Sequence, residues 1–308
     1  MKREPLPLDR IRGTAVGAAV GDALGMPLEF GPPRPAGALE RHMCAGRLPA
    51  GTFTDDTEMA LALAESLLAA RPLDPADLAN RFVAWLQAGP GDVGIQTHSV
   101  LARVAAGEPW AQAVATVQQA CPDAAGNGSL MRCWPVALTL WDDLAGLERD
   151  SALQSRVTHA HPDCVAGCVF VNVALYHLLR GTPPAEAIAM ASESVDLSAG
   201  LRALLASAAG RGRGELANSG WVRHTLESAV WGLLTTSTFE EALVQVVNLG
   251  HDADTAGTVV GALAGAAYGL QAIPTHWRAA LRGLWPLRQG RTWREADLAA
   301  LAERLAGG

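Results

Sequence analysis

Two short acidic stretches hold the densest chemistry in the chain, Thr54-Asp55-Asp56-Thr57 and Asp252-Ala253-Asp254-Thr255. Each opens an apolar helical pattern, and capping such a helix uses one of these side chains at most. Adjacent carboxylates repel, and burying several together is costly unless a cation neutralises them. With Glu29 they offer only hard oxygen ligands, which suit Mg2+ or Mn2+ better than Ca2+ and do not make a thiolate-type zinc site. The oxygens suffice for two ions that share carboxylates.

Three further groupings could bind or react. Gly126-Asn127-Gly128-Ser129-Leu-Met-Arg132 precedes a helical pattern through Trp134 and Leu140. Glycines there either turn backbone N–H groups toward an anion or form an ordinary loop with a Ser129 cap. The run matches neither a Walker A loop nor a dinucleotide fingerprint. His159-Ala160-His161-Pro162-Asp163 reads as a metal-binding histidine pair, a helix end or a hydrogen-bond donor to a substrate, with zinc the least favoured. Asp92 lies in Gly89-Pro-Gly-Asp-Val-Gly, a turn where aspartate commonly serves structure alone. No Gly-x-Ser-x-Gly elbow and no Cys/His nucleophile arrangement is visible.

The elements that must position these groups are helical. The second acidic stretch runs into an apolar segment with glycine at 257, 261, 265 and 269, and residues 9–25 repeat the device at Gly13, Gly17, Gly21 and Gly25. Glycine every fourth residue bares one helical face, so another backbone can approach it. A glycine in a helix interior costs about 1 kcal/mol relative to alanine, and two such stripes are expected to pack on each other. The apolar run 256–272 is short for a membrane span and has acids at its mouth. Asp22 and Glu29 fall near the C-terminal end of the first striped helix, where a dipole argument opposes them. Residues 31–51 are Pro/Gly-rich without a period and read as a mobile flap. Asp74-Pro75, Thr182-Pro183, Thr238-Phe-Glu-Glu241 and Thr292-Trp-Arg-Glu295 read as helix starts, the last two as capping boxes. No sustained period-two alternation appears, so strands are few or absent. Arg211-Gly-Arg-Gly214 is a loop and no composition break divides the chain, so residues 1–308 are expected to form one all-α domain.

At 308 residues with nine tryptophans and a net charge of −7, the chain lacks the basic surplus of a general nucleic-acid binder. Five cysteines form no CxxC, and Cys164 and Cys168, one turn apart, read as small buried residues. A reduced, cytoplasmic setting fits. Lys2 and Arg3 before an alanine-rich run resemble a secretory signal, but Glu4, Asp9, Arg10 and Arg12 precede the run and Asp22 interrupts it. No membrane span is expected.

Gly21-Asp-Ala-Leu-Gly25 with Glu29, Thr54-Asp-Asp-Thr57, residues 126–132, Thr158-His159 and Asn248-Leu-Gly-His-Asp-Ala-Asp-Thr255 together resemble the ADP-ribosylglycohydrolase family, in its motif order and across roughly the whole chain. The likeness is greatest to the bacterial branch typified by dinitrogenase reductase-activating glycohydrolase. The resemblance implies an all-α orthogonal helical bundle, a centre of two Mg2+ or Mn2+ ions, and removal of ADP-ribose from a modified protein side chain. It implies Thr54, Asp55, Asp56, Asp252, Asp254 and Thr255 as metal ligands. Glu29 matches an acidic residue near the metals, and catalysis is expected to rest on Asp56, Glu29 and Asp254. Gly126, Asn127, Gly128 and Ser129 match a loop around the diphosphate, and His159 matches a histidine contacting ADP-ribose. Trp221 stands where the family often has tyrosine near the nucleotide. Asp92 matches an aspartate facing the substrate guanidinium, which makes arginine the favoured acceptor. Hydrolysis of serine-linked ADP-ribose or O-acetyl-ADP-ribose is the alternative on the same site, and a non-catalytic ADP-ribose binder is the alternative of another class. His251 departs from the glycine common at that position. A monomer is expected.

Overall fold

A computed structural model describes residues 7–307. Lys2, Arg3 and Glu4 lie outside the described residues. In chain order the helices are α1 (Leu8–Gly25), α2 (Asp55–Ala69), α3 (Pro75–Gln87), α4 (Ile95–Ala105), α5 (Trp110–Ala120), α6 (Trp134–Thr139), α7 (Leu144–Arg156) and α8 (Pro162–Leu179). They continue with α9 (Pro184–Ser194), α10 (Ala199–Ser207), α11 (Val222–Thr235), α12 (Phe239–Val247), α13 (Ala253–Tyr268), α14 (Thr275–Ala280) and α15 (Glu295–Gly307). A two-stranded antiparallel ribbon, β1 (Gly283–Trp285) and β2 (Arg291–Trp293), is the only sheet among the described residues. The fold is all-α, as its residue pattern leads one to expect.

The two glycine-striped helices lie at the centre and pack antiparallel. A methyl group on Gly13, Gly17 or Gly21 would overlap the carbonyl of Gly265, Gly261 or Gly257, and one on Gly25 would overlap that of Ala253. The backbones touch, which accounts for the missing side chains. Around this pair α8, α11, α12 and α15 complete a continuous apolar core that reaches from Ile11 to Ala306. Arg10 donates to the carbonyls of Ala266 and Ala267 at the end of α13 and to Leu178 at the end of α8, supplying partners that helix C-termini lack. Among the described residues one helix, α8, is long and apolar enough to cross a membrane, but 72% of it is buried inside the fold, as for a core helix.

The helix starts show where local reading succeeds. Asp74 caps α3 ahead of Pro75, and Thr54 caps α2. Thr238 accepts from Glu241 N at 3.1 Å, yet the Glu241 carboxylate turns to Arg41 at 2.8 Å, so only half of that capping box forms. The Thr182-Pro183 start is displaced: α9 begins at Pro184 without a side-chain cap. The Thr292–Glu295 box is overturned. Thr292 pairs with Leu284 in the ribbon, and α15 is capped by the Asp297 carboxylate accepting from Arg294 N at 2.9 Å.

Residues 31–51 form a segment pinned in place. Asn248 grips it twice, through Glu40 N to Asn248 Oδ1 at 2.7 Å and Asn248 Nδ2 to Glu40 O at 2.9 Å. Trp277 Nε1 donates to Arg41 O at 2.9 Å.

Candidate active site

The antiparallel helix pair decides where the acids meet. Because Gly25 lies on Ala253, the C-terminal end of α1 reaches the N-terminal end of α13. A single 3-10 turn, Met26–Leu28, then delivers Glu29 over Asp252 and Asp254. Oxygen atoms of these three carboxylates lie within 4.8 Å of one another. Asp22, the acid that opposed its own helix dipole, serves a different helix. It accepts from Thr54 N at 2.9 Å, from Thr57 N at 3.1 Å and from Thr57 Oγ1 at 2.6 Å. It therefore fills the anion position at the start of α2 and fixes Asp55 and Asp56 beside the first cluster.

This cluster is electrostatically uncomfortable. Burial, reinforced by neighbouring carboxylates, pushes the carboxyls of Asp55, Asp56 and Asp254 well above the usual range. Burial also raises Glu29, and Asp22 to about 6. Asp56 Oδ1 is fully buried with no hydrogen-bond partner among the described residues. An orphaned buried carboxylate oxygen beside further acids is what divalent cations satisfy, so the oxygen set fits such ions. One positive group enters from the pinned segment: Arg47 places its guanidinium 2.6 Å from Glu29, 3.2 Å from Asp92 and 3.4 Å from Asp254.

The acids form one wall of a cavity of about 840 Å3. The 126–128 turn and His159 line the same cavity, as do Asp92 and the exposed side chains of Phe30 and Ile95. Gly126 bridges to Trp221, and Asn127 N donates to Gly220 O at 3.0 Å, which fixes the turn. The helix that follows starts only at Trp134, so the turn is not a helix N-terminus. The Asn127 amide donates to Asp252 at 2.7 Å and to Thr225 at 2.8 Å, so this side chain orients an acid. His159 is buried, and its pKa is lowered to about 3 by burial and by nearby Arg132.

Of the residues selected from sequence, Glu29, Asp55, Asp56, Asp92, Gly126, Asn127, Gly128, His159, Asp252, Asp254 and Thr255 line this one cavity. Thr54 lies behind it, 3.5 Å from Asp56 Oδ2. Ser129 is fully buried, its hydroxyl shared with Ser155 at 2.9 Å, so its side chain faces the core. Trp221 stands outside, half exposed and edge-on to His224. Sequence reading missed Arg47, which lies in a segment without a period. It also missed Asn218, whose buried amide holds the carbonyls of Gly250 at 2.6 Å and Asp252 at 3.1 Å. Asp22 was visible only as a dipole anomaly.

His251 explains itself in this geometry. Its φ of 54° is in the left-handed region that favours glycine, and so is the φ of 61° at Phe30. The two strained residues bond to each other's neighbourhood, Phe30 N to His251 O at 2.6 Å and His251 N to Gly31 O at 2.7 Å. That pairing ties the pinned segment to the acidic turn.

A family model described as ADP-ribosylglycohydrolase matches residues 3–308. The chain is 35% identical over 275 residues to the ADP-ribosyl-(dinitrogen reductase) glycohydrolase of Rhodospirillum rubrum, covering 87% of this chain and 89% of that protein. It is 34% identical over 285 residues to the ADP-ribosylarginine hydrolase Tri1 of Serratia proteamaculans, covering 88% and 74%. A solved structure titled ADP-ribosylglycohydrolase-related protein complex superposes with a TM-score of 0.79 at 35% identity and covers 98% of each chain.

Proposed function

The chain belongs to the ADP-ribosylglycohydrolase family, a hydrolase acting on glycosidic bonds, and we propose that its bond is the N-glycosidic link between ADP-ribose and a protein arginine. The observation that carries the acceptor is Arg47. Its guanidinium rests between Glu29 and Asp92, at 2.6 and 3.2 Å, so this end of the cavity accepts a guanidinium. Thr54, Asp55, Asp56, Asp252, Asp254 and Thr255 would hold two divalent ions, Mg2+ or Mn2+. Such ions supply positive charge that grips ribose hydroxyls and acidifies water near neutral pH.

The side chains divide the remaining work. The 126–128 turn and His159 hold the diphosphate, so binding energy from that end positions the reacting carbon. Asp56 or Glu29 orients the attacking water and takes its proton. The water oxygen bonds to C1″, the C1″–N bond breaks through an oxocarbenium-like transition state, and the proton passes to the departing nitrogen. The acceptor leaves as a guanidinium facing Asp92.

Mass spectrometry of ADP-ribose released from arginine-modified and serine-modified peptides, with and without a chelator, tests this reading. Release from the arginine peptide that stops with chelator and in Asp56→Ala and Asp254→Ala, with the fold retained, is expected. Release from the serine peptide alone would overturn the acceptor assignment, and undiminished release in either variant would overturn the site.

A further inference from the structure

Arg132 is an expensive residue with no role in the chemistry described so far. It is completely buried, and among the described residues no carboxylate pairs with it. The titratable groups that face it are the thiols of Cys168 and Cys133 and the imidazole of His159. Burial lowers its pKa to about 9, so it still carries its charge at neutral pH. A buried cation without a counter-charge costs several kcal/mol; the Phe82 ring, its centroid 4.3 Å from the guanidinium carbon, offsets part of that cost and leaves the rest for another group.

One terminal nitrogen faces the Met59 sulfur at 3.8 Å, and the other hydrogen bonds lead toward the cavity. Arg132 Nε donates to Gln154 Oε1 at 3.3 Å, and the other terminal nitrogen donates to Gln154 O at 3.2 Å and to Thr158 Oγ1 at 2.7 Å. Thr158 Oγ1 lies 2.8 Å from His159 Nδ1. A guanidinium can only donate, so Thr158 accepts from Arg132 and is left with one hydroxyl proton to give. Among the described residues that proton has a single destination, His159 Nδ1. The imidazole must then carry its own proton on Nε2. That atom abuts the bare turn: a Cβ at Gly126 or at Gly128 would stand 3.3 Å from it. Among the described residues Nε2 has no hydrogen-bond partner, and His159 lines the cavity.

We propose that Arg132 is a positioning residue: through Thr158 it fixes His159 as the neutral Nε2–H tautomer, a donor aimed at the ADP-ribose diphosphate, whose charge in turn offsets the buried guanidinium. The ligand named here rests on the function proposed above, whereas the tautomer does not. A purely structural Arg132 would tie residues 126–132 to α7 through Gln154 and place no demand on the histidine tautomer.

The test uses full-length protein with 15N-labelled histidine, as wild type, Thr158→Val and Thr158→Ser. Long-range 1H–15N correlations report the protonated nitrogen of His159, and isothermal titration with ADP-ribose reports binding. Wild type and Thr158→Ser are expected to show protonated Nε2 and bare Nδ1. Thr158→Val, which leaves the Gln154 bonds of Arg132 intact, should lose that single tautomer and bind ADP-ribose about tenfold more weakly. An Nδ1–H or doubly protonated His159 in the wild type overturns the relay. So does a Thr158→Val protein with unchanged tautomer and affinity, or a binding loss that serine fails to rescue. Wild type that binds no ADP-ribose would overturn the function reading instead, while the spectra still decide the relay.

Discussion

His159 shows how one side chain's environment sets a pH dependence. Its folded pKa is about 3 against 6.5 for a free imidazole, from burial first and Arg132 second. Below about pH 6.5 the unfolded chain takes up a proton that the folded chain refuses, so acid favours unfolding. The contribution of this group is intact above 6.5 and is lost as pH falls through 6.5 toward 3. Over the first stretch, down to about pH 5, the loss amounts to about 2 kcal/mol. Urea unfolding of wild type and His159→Gln at about pH 7 and about pH 5 measures it. Wild type should lose about 2 kcal/mol more than the variant between the two conditions; parallel losses would mean that His159 is not held neutral. What sequence revealed at this scale was residue type. That His159 could be a hydrogen-bond donor was one of three open readings, because the partner that selects among them, Arg132, touches it only through Thr158. His251 was visible as a departure from glycine, but its cause is a backbone angle of 54° that no residue pattern states.

At the scale of elements, the glycine-striped pair brings Glu29, Asp252 and Asp254 together, and Asp22 on α1 holds Asp55 and Asp56 beside them. Gly261→Ala would push a methyl into the Gly17 carbonyl, where backbone lies on both sides and nothing flexible can yield. Overpacking of this kind costs about 1–3 kcal/mol and sometimes more. Gly37→Ala, at a site with open space around it, is the control. Chemical denaturation should show a loss of about 3 kcal/mol for the first and within about 0.5 kcal/mol for the second. Equal stability of the two variants would mean that the backbones do not touch. The stripes were legible because a four-residue glycine period has few other uses, and the period also fixes which faces meet. Thr292-Trp-Arg-Glu295 was misread because a capping box is a local pattern, whereas the ribbon that claims Thr292 depends on Leu284, in another segment. The pinned 31–51 segment was equally illegible, since its anchors, Asn248 and Trp277, lie far along the chain.

For the whole molecule, the fold concentrates negative charge at one point from segments distant in sequence, and in the described structure a chain arginine answers it. Arg47 is the cation nearest Glu29, Asp92 and Asp254, yet it sits about a quarter exposed at 27%, so its ion pairs are partly screened by solvent. Divalent ions held by Asp254 would compete with this guanidinium for that carboxylate, and the pair given up there costs at most about 1 kcal/mol. Removing the competitor while keeping a polar side chain should favour the ions by the same amount. Arg47→Gln is therefore expected to bind Mn2+ about fivefold more tightly than wild type in isothermal titration, because about 1 kcal/mol corresponds to that factor. With chelator present the same variant should melt below wild type, since the acids then repel without a counter-ion. With saturating Mn2+ the order should close or invert, because ligand binding to the folded state adds stability in proportion to its affinity. Mn2+ affinity that falls in Arg47→Gln would show the guanidinium assisting the ions instead of excluding them, and the competition argued here would be wrong.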